Sequence, residues 1–154
     1  MAEYGYNAEQ SLAPGAPAIL QDVRPYTKCP QLVVHDNESP NLRLRGIVRN
    51  TCNVCNPRAQ YTVSYSGNIA VAEGGTVGEI QLGLSVNGYV RPLTLAAATP
   101  AAAGDYWHVS GYTTIDVPAG CCADVAVVNA SVSATGTVPT ITVRNLNVNV
   151  TRVA

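Results

Sequence analysis

The chain has no phenylalanine, one tryptophan and one methionine among its 154 residues, and only 12% of its residues are charged. Ordinary soluble domains carry roughly 25% charged residues. So low a charge suits a chain held in a rigid assembly or outside the cell. The formal net charge is −1, which gives nucleic acid or a membrane surface no global attraction. No apolar run approaches the roughly 20 residues of a helical membrane span. The start, Met1 to Tyr4, has neither the basic residues nor the apolar stretch of a secretion signal. The expectation is therefore synthesis in a cytosol that keeps thiols reduced. The sequons at Asn129 and Asn149 carry little weight without secretion.

Catalytic signatures are missing as well. There is no phosphate-binding loop, dinucleotide fingerprint, paired-carboxylate motif or nucleophile elbow. His108 lies near Asp105 and Ser110, but all three belong to one strand candidate and cannot converge as a triad. The stretch His35-Asp36-Asn37-Glu38 lacks the glycine spacing of a calcium loop and reads as a polar turn. Five cysteines are present: Cys29, Cys52, Cys55, Cys121 and Cys122. Cys52 and Cys55 with Cys121 and Cys122 supply four thiols, but adjacent strand residues point to opposite faces, which suits one tetrahedral ion poorly. A structural metal, a Cys52–Cys55 disulfide or another pairing, and plain thiols all stay open. The reading is of no enzyme, no cofactor and no assigned metal site.

What is present is a train of short strands. Residues 1–17 hold Gly5, Pro14, Gly15 and Pro17 without a periodic apolar pattern and read as an extended arm. Strand candidates follow at 18–22, 31–35 and 41–48. In the last, Leu42 and Leu44 alternate with Arg43 and Arg45. Tyr61, Val63 and Tyr65 alternate with Thr62, Ser64 and Ser66, so the two tyrosines pack in the core or against a neighbouring subunit. Residues 80–86 alternate again and end in Asn87-Gly88, a type I′ hairpin signal, with 89–95 as the return strand. Residues 96–104 read as a loose crossing loop, 107–117 as the next strand, and 123–128 as a strand buried on both faces. In the final strand Ile141 and Val143 are apolar at odd positions, whereas Leu146, Val148 and Val150 are apolar at even ones. A period of two changes phase only through a bulge, here near Arg144-Asn145. Beyond it Asn145, Asn147 and Asn149 take the opposite face, and the strand is expected in the middle of a sheet.

Charge is uneven. From residue 24 to residue 58 six basic groups (Arg24, Lys28, Arg43, Arg45, Arg49 and Arg58) face only Asp36 and Glu38. This is either a solvated strand face or a docking face for an acidic partner.

The blocks from Tyr61 to Val77, from Ile80 to Gly88, from Ile115 to Cys122 and from Val148 to Ala154 together resemble the C1q/TNF-like domains of gram-positive bacteria and their phages. The resemblance covers residues 59–154. It implies an all-β, two-sheet antiparallel jelly-roll sandwich that forms tight trimers and serves in fibre heads, decoration proteins or filament tips. No collagen-like Gly-X-Y run precedes it. The expectation is thus a jelly-roll at 59–154 preceded by a docking region at 1–58, with an extended N-terminal arm. It would be a phage virion protein, a capsid decoration or head-fibre component. It would trimerise through the apolar faces of the last strand and its neighbours. The arm would dock on the major capsid protein or neighbouring virion subunits, with no nucleic acid or membrane partner. Candidate contact residues are Arg24, Arg43, Arg45, Arg49, Tyr61, Tyr65, Asn145, Asn147 and Asn149. A receptor- or glycan-binding fibre tip, and a bacterial surface filament that donates its arm, are the alternatives.

Overall fold

A computed structural model describes residues 1–25, 32–48, 57–132 and 136–153. Among these residues twelve strands run in chain order: β1 (Ala2–Tyr6), β2 (Gln10–Leu12), β3 (Gln21–Arg24), β4 (Val33–Val34), β5 (Leu42–Arg45), β6 (Arg58–Val71), β7 (Ile80–Val86), β8 (Tyr89–Val90), β9 (Ala96–Ala98), β10 (Trp107–Pro118), β11 (Cys122–Asn129) and β12 (Ile141–Arg152). They form two six-stranded sheets in which every pairing is antiparallel. The first has the order β10-β6-β12-β1-β3, with β2 also on β12. The second has the order β4-β5-β11-β7-β8, with β9 also on β7. One apolar core lies between them, built from alternate residues of both sheets.

The expected N-terminal arm is a set of strands instead. Ala2 to Tyr6 pair residue for residue with Val150 to Leu146, and β3 pairs with the other side of β1. Ala2 and Tyr4 are buried, and Glu3 between them is half-buried. The 13–18 segment crosses to the second sheet, where Ala18 N–H donates to Val127 O at 2.7 Å and Pro17 bridges Val128. Hence both sheets are completed by strands from the first 58 residues, and no packed unit ends at the expected 58/59 boundary.

β12 lies inside the first sheet, between β6 and β1. Its phase slip is real: the register with β6 shifts between Arg144 and Asn147, and Asn145 has φ 53°. Asn tolerates this left-handed backbone better than most residues. After the slip Leu146, Val148 and Val150 point into the core. The apolar face expected to join subunits is therefore spent inside the sandwich. The Asn87-Gly88 turn has positive φ at both residues, as a type I′ hairpin requires. The return strand, however, ends at Val90, because Pro92 opens a 3-10 turn at Pro92–Thr94. The Ala96–Ala98 stretch, expected as a loop, pairs with the first half of β7.

The candidate assembly face

The two sheets leave two outer faces, and the one on the first sheet is broad and low in charge. β6 sends Tyr61, Val63 and Tyr65 inward and Thr62, Ser64, Ser66 and Asn68 outward. Strand register sets Tyr112, Ser64, Asn149 and Glu3 side by side across β10, β6, β12 and β1. The next row is Ser110, Ser66, Asn147 and Gly5. The amides are chained: Asn149 Nδ2 donates to Asn147 Oδ1 at 2.6 Å, and Asn147 Nδ2 donates to Glu3 Oε1 at 2.6 Å. A groove of about 660 Å³ runs along this face, flanked by Leu93 and Tyr112. Leu93 is 98% exposed and Tyr112 70% exposed, which sets two large apolar side chains beside a field of small hydroxyls and amides. An exposed apolar rim beside such a field is a feature of contact surfaces.

Of the residues singled out in the sequence, Asn147 and Asn149 are on this face and half-buried, and Asn145 is exposed at the bulge, where its N–H donates to Asn7 O. Tyr61 and Tyr65 are not contact residues. Both are buried in the core and tie the sheets together. The Tyr61 hydroxyl lies 2.6 Å from Arg45 O and 3.1 Å from Leu32 O; that of Tyr65 lies 2.6 Å from Thr94 O and 2.9 Å from Leu82 O. In a chain without phenylalanine these tyrosines fill the core, and a buried phenol needs a polar partner. Burial holds the Tyr65 phenol well above the ordinary tyrosine range. Replacing Tyr65 with Phe should leave two buried carbonyls without that donor and cost about 1–3 kcal/mol, read as a lower denaturant midpoint at an unchanged slope.

Among the described residues the basic side chains do not gather into one docking face. Arg43 pairs with Asp124 on the second sheet, at 3.0 Å, whereas Arg58 pairs with Asp116 on the first, at 3.2 Å. Arg24 is exposed on β3 opposite Glu3, and Arg45 is half-buried. Arg49 and Lys28 lie outside the described residues, as do Cys29, Cys52 and Cys55. Cys121 and Cys122 are free and exposed. Among the described residues no three His, Cys, Asp or Glu side chains are placed to hold a metal. The Asp105, His108 and Ser110 group is not assembled either: Asp105 accepts from Trp107 Nε1 at 3.3 Å, and His108 Nδ1 is 3.3 Å from Asn68 Oδ1. The residues missed in the sequence are Leu93 and Tyr112. Thr62, Ser64 and Ser66 were visible as the polar phase of β6, but alternation alone does not tell an outer face that stays wet from one that is covered.

A two-sheet antiparallel sandwich with this strand order is a jelly-roll of the C1q/TNF-like type. The chain is similar in fold to the structure of Eiger TNF from S. frugiperda, with a TM-score of 0.64 over 99% of this chain and 91% of that chain at 11% identity. The globular domain of zebrafish complement 1qA protein is a more distant structural match, with a TM-score of 0.43 over 96% of this chain and 94% of that chain at 8% identity. No protein-family model and no curated protein matches the sequence.

Proposed function

We propose that the chain is a non-enzymatic structural subunit of a phage virion, a capsid decoration or head-fibre protein, that assembles as a homotrimer through the outer face of its first sheet. The observation that carries this reading is the low-charge Ser/Thr/Asn field flanked by Leu93 and Tyr112. Covering small hydroxyls and amides strands few ions in an interface, whereas a buried unpaired charge is strongly destabilising. The projecting Leu93 and Tyr112 supply apolar area of the kind that anchors interfaces. A knob on one edge and a field on the face are different surfaces, so the proposed contact is head-to-tail, and a trimer is the ring that forms when its rotation closes after three copies. The likeness to Eiger TNF is one of fold, and the role proposed here rests on the face described above. Since residues 1–24 belong to the sandwich, attachment to the capsid shell or to neighbouring virion subunits falls to the loops at its ends rather than to an arm.

Light scattering on the purified chain should give three times the monomer mass at micromolar concentration. Placing an arginine in the centre of the field, Ser64→Arg, should convert it to monomer without lowering the melting temperature of the isolated subunit. A wild-type monomer would remove the trimer from the reading, and a micrograph of the native particle locates the protein on the virion or away from it.

A further inference from the structure

His35 is read in the sequence only as part of a polar turn, and the proposed assembly makes no use of it. Its side chain is 1% exposed although it sits at the margin of the sandwich. Nδ1 lies 2.6 Å from Asp22 Oδ1 on β3, and Nε2 lies 2.8 Å from the Ser39 carbonyl oxygen. The Tyr4 ring of β1 meets the imidazole edge-on at 5.1 Å. Both nitrogen partners are acceptors. A neutral imidazole has one N–H and one lone pair, so it would set its lone pair against one of these oxygens. Only the ring carrying both protons donates to both, with the Asp22 carboxylate balancing its charge.

The strand gripped by this contact is weakly held otherwise. Among the described residues β3, four residues long, pairs on one side only, with β1, through a register shift between Glu3 and Tyr4. Further bonds come from the same turn. Asp22 N–H donates to Asn37 Oδ1 at 3.0 Å, Glu38 N–H to Leu20 O at 2.9 Å, and Gln21 Nε2 to Glu38 Oε1 at 3.3 Å. The side-chain bonds of Gln21 and Asn37 are exposed to solvent; in the His35–Asp22 pair the imidazole is buried and the carboxylate is 35% exposed.

We infer that His35, Asp22 and the Ser39 carbonyl form a proton-dependent latch that fastens β3 to the 35–39 turn and opens this edge of the sandwich when the ring loses one proton. Among the described residues the titratable groups facing the ring are the Asp22 carboxylate from β3 and the Tyr4 phenol from β1, while the exposed Asp36 and Glu38 carboxylates belong to its own turn. The latch exists with two ring protons, so raising the pH opens it and lowering the pH through the same range closes it. Opening bares the outer edge of β1, a row of backbone groups able to accept a strand from a neighbouring copy.

The test uses the full chain labelled with ¹⁵N-histidine. The two ring N–H groups of His35 are followed by NMR through a pH series, alongside hydrogen-exchange protection of Gln21 to Arg24 referred to unstructured-chain rates at each pH. The expected result is two ring protons while β3 is protected, then loss of the second together with at least a tenfold loss of β3 protection, with β6 and β12 still protected. His35→Gln, which does not titrate, should show low β3 protection at every pH. Asn37→Ala should lower protection while keeping its pH dependence. A His35 ring with a single proton in a chain whose β3 is fully protected overturns the latch. So does β3 protection that is unchanged when the second proton leaves. Both of these are read on the unmodified chain, so the conclusion stands even where a variant fails to fold.

Discussion

A chain lacking residues 1–6 should fail to give a cooperative thermal transition, whereas an arm could be removed with no change in melting temperature. β1 is the interior partner of both β12 and β3, so its loss leaves β12 with an open edge and β3 with no strand beside it. It also removes the fully buried Tyr4 and Ala2 from the core. Truncating a large buried aromatic alone costs about 3–5 kcal/mol, against a total stability of roughly 5–15 kcal/mol for a domain. The five β1–β12 register pairs go with it. Circular dichroism melts of the truncated and full chains make the comparison. Tyr4→Ala in the full chain grades it, with an expected loss of about 3–5 kcal/mol on the same grounds. An unchanged melt for both would return β1 to the status of an arm. The filament alternative, in which this segment is donated to the next subunit, predicts depolymerised but folded trimers or monomers after such a truncation.

The reason β1 escapes a reading of the sequence is physical. Its alternation, Ala2 and Tyr4 against Glu3 and Gly5, spans only a few residues and includes a glycine, a poor strand former. What makes it a strand is hydrogen bonding to residues 146–150, at the far end of the chain. Short strands of weak propensity take their conformation from such tertiary partners, and the Ala96–Ala98 strand on β7 is another case. Features enforced locally are legible. The Asn87-Gly88 turn, the bulge at Asn145 and the two-sided burial of β11 each follow from backbone allowances or from period-two counting within a few residues. The face of the sandwich is legible in half. Alternation sorts Tyr61 and Tyr65 from Thr62 and Ser64 correctly, yet whether the tyrosines met a core or a neighbour depended on carbonyls of Arg45, Leu82 and Thr94 that no local pattern announces. The basic stretch misleads for a related reason. Its arginines are close in sequence, but β5 and β6 belong to different sheets, and Asp124 and Asp116 meet them there from distant strands.

Gly46→Ala should be among the most damaging single substitutions in the chain. Gly46 follows β5 and is packed against the turn that joins β10 to β11, where its N–H donates to Cys121 O at 2.8 Å and its carbonyl accepts from Gly120 N–H at 3.0 Å. A Cβ built there would lie 2.0 Å from Pro118 O, 2.9 Å from Pro118 C and 3.1 Å from Cys121 O. All of these are backbone atoms, so no side chain can swing away to make room. The two strands on either side would have to separate, breaking the bonds that join the end of β5 to the Cys121 turn. The expected loss is at least about 3 kcal/mol, the upper end of overpacking. Denaturant unfolding of Gly46→Ala against Gly78→Ala measures it. A Cβ on Gly78 would meet nothing within 4 Å, and its φ lies outside the left-handed region, so that control should stay within about 0.5 kcal/mol of the parent chain. Equal midpoints for the two variants would mean that the 118–122 turn yields to the methyl group, and that the end of β5 is not held by the close backbone contact that Gly46 permits.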